Sequence, residues 1–345
     1  MPDDRIQELL DEAGSHANRD VLRDILRSAI ALAGDDVDRL DLKITAAALK
    51  EMRAAFLMFR PFAGVPKVTI FGSARALPDA PLYAQARDLA AALASRGWMV
   101  VTGAGPGIMA AGVEGAGPGQ AIGVSIRLPF EEAPAALADD QHVTMKYFFT
   151  RKLMLMRESA AFVCLPGGFG TQDETFELCT LLQTGKASPA PVVLLDVPGG
   201  TYWQKWSDFV DEELISPGWV SPQDHELYLA TDDVGAAVAE IERFWRNYHS
   251  LRWVGDRLVL RLRHTPTADE VGRLGASFAD LLVDGQIEAS PPLSAEVADR
   301  DHVDLPRIVM RFDPRQAARL RALIDAVNDL PSAMAPTTKE SGAPT

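Results

Sequence analysis

The chain has 345 residues, with 34 lysines and arginines against 48 aspartates and glutamates, and its formal net charge is −14. Such an acidic chain disfavours nonspecific binding to nucleic acid or to an anionic membrane, although a small anion can still bind at a locally positive site. Two cysteines are too few for a disulfide framework. The sequence contains no apolar stretch of the roughly 18–20 residues that a membrane span needs, and its acidic N-terminus does not resemble a signal peptide. We therefore expect a soluble, cytoplasmic protein.

Three zones of different pattern follow one another along the chain. Residues 1–62 keep helical spacing of apolar side chains and predict a helical region of two to four helices. Residues 63–250 alternate short apolar runs with helix-length amphipathic segments. Residues 251–330 predict a small α/β module, and residues 331–345 have the composition of a disordered tail.

The apolar runs of the middle zone predict the strands of one sheet. They are continuous rather than alternating, as in parallel strands that helices cover on both faces. We therefore expect a doubly wound α/β fold with a mainly parallel, seven-stranded sheet. The predicted strands are Val68–Phe71, Met99–Thr102, Ala121–Ile126, Val143–Met145, Ala161–Leu165, Val192–Leu195 and Leu227–Ala230. The predicted helices include Tyr83–Ser95, Phe148–Arg157, Glu174–Gln183, Trp203–Leu214 and Val234–Tyr248.

The C-terminal zone has a different strand pattern. It predicts strands at Arg257–Leu262 and Arg307–Phe312 and helices at Thr267–Leu282 and Pro314–Val327. In the first of these strands, leucines alternate with residues that include Arg261, which is typical of a sheet with one exposed face. We therefore expect a second sheet rather than an extension of the first.

Three glycine-rich loops follow predicted strands of the middle zone: Gly72–Arg75, Gly103–Gly107 and Pro166–Thr171. The carboxyl ends of parallel strands share one edge of the sheet, so these loops should lie together. Glycines allow close approach of the backbone, and the helix N-termini that follow offer free N–H groups, a combination that suits a phosphate. The sequence contains neither a P-loop motif nor a GxSxG elbow, and its histidines and cysteines lack metal-ligand spacing.

Charged residues flank the strand that precedes the third loop. Arg151 and Lys152 lie on the helix before it, and Glu174 lies in what should be the first turn of the helix after it. A carboxylate at a helix N-terminus beside an arginine is expected to stay ionised.

The segment Pro166–Glu174, with the sequence PGGFGTQDE, resembles the PGGxGTxxE motif of the LOG ("Lonely guy") family, which was long labelled as lysine decarboxylases. Arg151-Lys152 fits the RK pair of that family, and Gly103–Met109 is similar to its glycine-rich loop. The resemblance covers about residues 64–248. The longer terminal regions are similar to those of the larger bacterial nucleotide nucleosidases of this family.

The resemblance implies a Rossmann-like fold and a homodimer or larger oligomer. It also implies hydrolysis of the N-glycosidic bond of nucleoside 5′-monophosphates such as AMP, to free base and ribose 5-phosphate, with no metal or cofactor. Specific action on cytokinin riboside monophosphates is one alternative, and a non-catalytic nucleotide carrier is another. A decarboxylase would need a lysine that binds pyridoxal phosphate, and no lysine of the chain has a supporting motif.

The resemblance also assigns roles to individual residues. Arg151 and Glu174 would be the catalytic pair, with Arg151 orienting Glu174 through a planar, two-pronged contact. The residues that would bind the phosphate and the rest of the substrate are Ser73, Gly103, Gly105, Gly107, Glu131, Lys152, Gly167, Gly168, Gly170, Thr171 and Thr180.

Overall fold

The computed structural model describes residues 3–14, 17–127 and 137–334. In the described part of the N-terminal region, three helices form: α1 (Asp3–Glu12), α2 (Arg19–Ala31) and α3 (Arg39–Phe59). Asp38 caps α3, since its carboxylate accepts hydrogen bonds from the first-turn N–H groups. This agrees with the expected two to four helices.

The C-terminal half of α3 packs on the main sheet and fixes the helix that carries Arg151. Ala55 and Phe59 are buried in the core there. Glu51 accepts hydrogen bonds from the Lys146 N–H at 3.0 Å and from the Thr150 hydroxyl at 2.6 Å. Because Thr150 lies in the first turn of that helix, α3 helps to set the position of one wall of the site described below.

The middle zone forms a seven-stranded sheet in which every pairing is parallel, as predicted. The strand order is β4-β3-β2-β1-β5-β6-β7, so the direction of winding reverses between β1 and β5. Ligands bind at such a switch point in doubly wound sheets. The strands are β1 (Lys67–Phe71), β2 (Met99–Thr102), β3 (Ala121–Ile126), β4 (His142–Met145), β5 (Ala161–Cys164), β6 (Val192–Leu195) and β7 (Leu229–Thr231).

Helices cover both faces of this sheet and enclose two apolar cores, which explains the continuous apolar runs of its strands. One face carries α4 (Pro81–Ala94), α5 (Ile108–Ala116) and α9 (Val234–Phe244), and the other carries α3, α6 (Phe148–Arg157), α7 (Phe169–Gln183) and α8 (Tyr202–Phe209).

The largest errors in the predicted helix limits of the middle zone concern α7, α8 and α9. Helix α7 begins at Phe169, five residues before the predicted start at Glu174. Helix α8 ends at Phe209, and a π-helical turn, Val210–Ile215, takes up the rest of the predicted segment. Helix α9 ends at Phe244 rather than at Tyr248, because Tyr248 pairs with a neighbouring strand of the second sheet.

The C-terminal zone forms a second, antiparallel sheet of order β10-β11-β9-β8. Its strands are β8 (Tyr248–Val254), β9 (Arg257–Leu262), β10 (Leu282–Ala289) and β11 (Arg307–Phe312), and its helices are α10 (Ala268–Ser277), α11 (Ser294–Asp299) and α12 (Leu320–Asn328). The sequence predicted β9 and β11 with these limits but missed β8 and β10. A 3₁₀ turn, Pro314–Arg319, replaces the first part of the predicted last helix.

The prediction that one face of β9 is exposed was wrong. Arg261 is buried, and its Nε and Nη2 donate to Oε1 of the buried Glu296 at 3.0 and 2.9 Å. Arg307 is buried against the same carboxylate. An alternating pattern cannot distinguish an exposed arginine from one that is buried with an ion-pair partner.

We propose that residues 251–330 are a module with a core of its own, although that core extends to Phe244 of α9. The described chain continues past residue 330: Pro331–Met334 form a 3₁₀ turn in which Ala333 is buried. The remainder of the predicted tail, residues 335–345, lies outside the described residues.

Replacing Asn328 with alanine is expected to destabilise the protein by about 2–4 kcal/mol, because it leaves buried backbone groups without partners. The Asn328 side chain accepts from the N–H groups of Asn247 and Tyr248, each at 2.8 Å, and donates to the Phe244 carbonyl at 2.5 Å. Urea unfolding measures the change, with the exposed Gln204→Ala as control. Equal stability of the two variants would contradict this role for Asn328.

Candidate active site

A cavity of about 750 Å³ opens at the switch point of the main sheet. Its walls come from the loops after β1, β2 and β5 and from the start of α6 and α7. The lining includes Gly72–Arg75, Gly103, Met109, Phe148, Arg151 and Gly167–Glu174. The three glycine-rich loops therefore lie together, as the sequence predicted.

The loops after β1, β2 and β5 hold one another in place through backbone contacts at Ser73. The Ser73 N–H donates to the Pro166 carbonyl at 3.2 Å, and the Ser73 carbonyl accepts from the Ile108 N–H at 3.0 Å. Gly107 has φ +65°, and a Cβ there would lie 2.3 Å from the Ser73 oxygen. Gly107 thus serves the close approach of two loops and does not line the cavity, contrary to the prediction.

The N-terminus of α7, which we call the cradle, lies open in the cavity wall. The first helical N–H groups, at Phe169, Gly170 and Thr171, have no partner within the helix. A Cβ added at Gly168 or Gly170 would meet no atom within 4 Å, so the backbone there is open to a ligand. The positive end of the helix dipole favours a phosphate at this position.

Gly167 has a different role from its neighbours in this loop. A Cβ there would lie 2.1 Å from Thr171 Oγ1, so the glycine allows the tight turn that places Thr171 at the cavity. The Gly167 carbonyl accepts a hydrogen bond from the Tyr202 hydroxyl at 2.7 Å. This contact fixes the loop from the side of α8.

Glu174 is a buried carboxyl group in the cavity wall, with 7% of its surface exposed. Its Oε2 atom has no hydrogen-bond partner among the described residues. Burial raises its pKa to about 7, although Lys152 and Arg151 act to lower it. The expectation of a fully ionised carboxylate was therefore wrong. Because α7 begins at Phe169, Glu174 lies in the second turn, beyond the strongest part of the dipole, and burial dominates.

Arg151 lies across the cavity on α6 and is held by backbone carbonyl groups. Its Nε donates to Val124 at 2.9 Å and its Nη2 donates to Gly103 at 3.3 Å. A Cβ at Gly103 would lie 1.9 Å from that Nη2 atom, so a larger residue there would displace the end of the Arg151 side chain. Neither of these bonds goes to Glu174, so the predicted two-pronged contact is replaced by an electrostatic effect on the Glu174 pKa.

Three other predicted substrate residues that the structure describes, Lys152, Thr180 and Gly105, do not line the cavity. Lys152 forms ion pairs with Asp173, at 2.9 Å, and with Glu177. Thr180 is exposed and lines a separate pocket of about 80 Å³ near α8. Gly105 lies in the second loop and is not part of the lining, and Glu131 lies outside the described residues.

Sequence reasoning missed several residues of the cavity wall, among them Arg75, Met109, Phe148 and Phe169. Arg75 and Phe169 lie in two of the glycine-rich loops identified from the sequence, so their position in those loops could have predicted that they line the cavity. Among the residues that the structure describes, no three potential metal ligands lie together. The same part of the chain contains no helix that is long and apolar enough to cross a membrane.

The fold and the cavity define the class, a Rossmann-like α/β protein with a cavity at the switch point of the sheet. A family model described as "possible lysine decarboxylase" matches residues 107–241. Among solved structures, the chain is similar to the molybdenum cofactor carrier protein of Chlamydomonas reinhardtii. The identity is 23%, the TM-score is 0.36, and the match covers 52% of this chain and 97% of that chain. A likeness at this level says nothing about function.

Two relatives of known family are similar over most of their own length. The cytokinin riboside 5′-monophosphate phosphoribohydrolase of Mycobacterium tuberculosis is 31% identical over 165 residues, which cover 46% of this chain and 84% of that protein. The probable cytokinin riboside 5′-monophosphate phosphoribohydrolase LOGL5 of Oryza sativa subsp. japonica is 30% identical over 184 residues, covering 52% and 72%. The chain belongs to this family, the LOG family.

Proposed function

We propose that the protein hydrolyses the N-glycosidic bond of nucleoside 5′-monophosphates, releasing the free base and ribose 5-phosphate. The observation that carries the proposal is the buried carboxyl group of Glu174, whose Oε2 has no partner among the described residues, in the same cavity as the cradle of α7. A nucleotide whose phosphate is bound at α7 would extend its ribose into the cavity that Glu174 lines. The names of the LOG relatives support the same reaction class.

The proposed reaction follows from the chemistry of the group. Cleavage of an N-glycosidic bond develops positive charge on the ribose, as in other glycoside hydrolyses. Water adds to C1′ while the C1′–N bond breaks, and the electron pair of that bond leaves with the base. The ionised Glu174 takes a proton from the water, the leaving base takes a proton from solvent, and Glu174 then returns its proton to solvent. A pKa of about 7 suits a group that alternates between these two states.

A panel of nucleotides tests this proposal and its specificity. The purified protein is incubated with AMP, GMP, IMP, CMP, UMP and isopentenyl-AMP, and the free base is detected by chromatography. Release from several of them supports a general nucleotidase, and release from isopentenyl-AMP alone supports a cytokinin-specific enzyme. Nucleotide binding without release from any of them would refute hydrolysis and support a carrier.

The arrangement of Lys152 argues against decarboxylation, despite the description of the matching family model. Burial lowers the pKa of Lys152, but its contacts with Glu177 and Asp173 more than offset this and the pKa lies above its ordinary value. A lysine that forms an imine with pyridoxal phosphate must lose its proton easily. Absence of an imine absorption after incubation with that cofactor is the expected result.

The activity should fall as the pH is lowered through about 7, by about tenfold per unit on the acid side. The reason is that burial raises the pKa of Glu174, so acid converts the proposed base to its protonated form. The pH profile of kcat/KM measures this in the free enzyme. A profile that stays flat down to pH 5 would contradict the assignment of Glu174 as the base.

We further propose that the protein is cytoplasmic and forms a homodimer or a larger oligomer. Large apolar side chains of α6 and α7 are exposed, namely Phe149, Leu153, Phe169 and Phe176. An exposed apolar group of this kind is typical of a protein interface. Light scattering should show a mass of at least twice 37.4 kDa at micromolar concentration. A species of 37.4 kDa alone would contradict the proposal.

A further inference from the structure

The loop after β1 carries an arginine, Arg75, that the proposed reaction does not yet use. The backbone of this loop is fixed on both sides, through the bonds of Ser73 to Pro166 and Ile108. The Arg75 N–H itself donates to Ser73 Oγ at 3.1 Å. These contacts fix the backbone of Arg75 at the edge of the cavity. The loop that carries Arg75 also contacts the loop that precedes α7.

The Arg75 guanidinium makes no hydrogen bond or ion pair with any residue that the structure describes, and the residue is exposed at the cavity wall. The other cations nearby are engaged. Lys152 is paired with two carboxylates, and Arg151 donates to two backbone carbonyls. In a chain with 48 acidic residues against 34 basic ones, a cavity arginine without a carboxylate is left available for a ligand.

We propose that Arg75 binds the terminal phosphate together with the N-terminus of α7 and makes the site selective for phosphate monoesters that carry two negative charges. This inference rests on the proposed function, since it concerns the same cavity. The N–H groups of α7 can contact only some of the phosphate oxygens. A guanidinium supplies a planar pair of donors and a full positive charge to the remaining ones.

A second observation points to a ligand in this cavity. Glu174 is 7% exposed and its Oε2 atom lacks a partner among the described residues. Arg75 and Glu174 line the same cavity with the cradle of α7 as part of its wall. The arrangement fits a ligand with a dianion at one end and a polar reacting centre at the other.

The test compares Arg75→Ala and Arg75→Lys with wild type. The matched control is Arg87→Ala, because Arg87 is a half-buried arginine of α4 that pairs with Asp88 and does not line the cavity. Calorimetry measures the affinity for ribose 5-phosphate. Steady-state kinetics compare AMP, its 5′-methyl phosphodiester and adenosine, which carry two, one and no negative charges.

Arg75→Ala should weaken ribose 5-phosphate binding about 10- to 100-fold and lower kcat/KM for AMP by a similar factor. The loss should be smaller for the methyl diester and close to zero for adenosine. Arg75→Lys should recover part of the loss, and Arg87→Ala should behave as wild type. An equal loss of kcat/KM for all three substrates, or no loss at all, would overturn the proposal. An arginine with only a structural role, or one that only faces solvent, would not distinguish substrates by their charge.

The two proposals can fail separately. If wild type binds ribose 5-phosphate but releases no base from any nucleotide, the hydrolase proposal fails and the affinity series still decides the role of Arg75. If wild type hydrolyses AMP but Arg75→Ala keeps full affinity for ribose 5-phosphate, the role of Arg75 fails and the hydrolase proposal remains. If wild type does not bind ribose 5-phosphate, the role of Arg75 is refuted.

Discussion

Replacing Glu174 with glutamine is expected to lower kcat for AMP by about 10²–10⁴-fold, the usual contribution of a general base. Glutamine has nearly the same shape but cannot take the proton of water or carry the charge that opposes the developing cation on the ribose. Nucleotide affinity should be largely retained, because the cradle of α7 is unchanged. Single-turnover kinetics with quantified free base, together with calorimetric binding of AMP, measure the two quantities.

The same variant should be more stable than wild type at alkaline pH. Burial raises the pKa of Glu174 from 4.5 to about 7, so the unfolded chain loses this proton at lower pH than the folded protein. The cost of ionising the buried group therefore grows between these two pH values and is fully present above the higher one. Removing the charge should raise the free energy of unfolding at pH 8 by about 1–3 kcal/mol.

A matched control is Glu177→Gln, a carboxylate of the same helix that pairs with Lys152 and does not line the cavity. It should keep a kcat close to that of wild type. A folded Glu174→Gln variant that is as active as wild type would contradict the catalytic assignment, and an unfolded variant would contradict the predicted gain in stability. Circular dichroism and urea unfolding of both variants distinguish these outcomes.

Removing the 5′-phosphate from the substrate is expected to lower kcat/KM by about 10³-fold or more. The cradle offers the N–H groups of Phe169, Gly170 and Thr171, and a hydrogen bond to a charged group contributes about 1.5–3 kcal/mol. Binding energy at the phosphate, remote from the reacting bond, also supports the chemical step. The measurement is the ratio of kcat/KM for AMP and adenosine under the same conditions.

Added inorganic phosphate provides a control for this result. If the cradle of α7 binds the phosphate of AMP, inorganic phosphate should be a competitive inhibitor against AMP. It should not compete with adenosine, which has no phosphate, in any residual hydrolysis. Equal kcat/KM for AMP and adenosine would refute the cradle as a binding determinant. Gly170→Ala places a methyl group in the open space above the cradle and should raise KM for AMP more than for adenosine.

The sequence by itself determined the parallel sheet, because strands that are buried on both faces are continuous apolar runs. Such runs can be identified without knowing which strands pair. It predicted β2, β3 and β6 with the limits that the structure shows. It also brought the three glycine-rich loops to one edge, since parallel strands end at the same side. The motif from Pro166 to Glu174 indicated the LOG family.

The tertiary structure decided what each of these residues contacts. The local sequence pattern predicted that Glu174 lies beside an arginine and is ionised. Burial in the folded chain instead raises its pKa to about 7. Arg151 reaches Val124 and Gly103, which are 27 and 48 positions away in the chain, and no local pattern reports such contacts.

The same limit explains the remaining differences. Gly107 looked like a ligand-contacting glycine but serves the approach of its own loop to Ser73. Arg261 looked exposed in an alternating strand but is buried against Glu296. The spacing of residues along the chain indicates which helices and strands form and which of their faces are apolar. The desolvation of a charge and the partner of a side chain depend on distant segments, and only their packing together decides them.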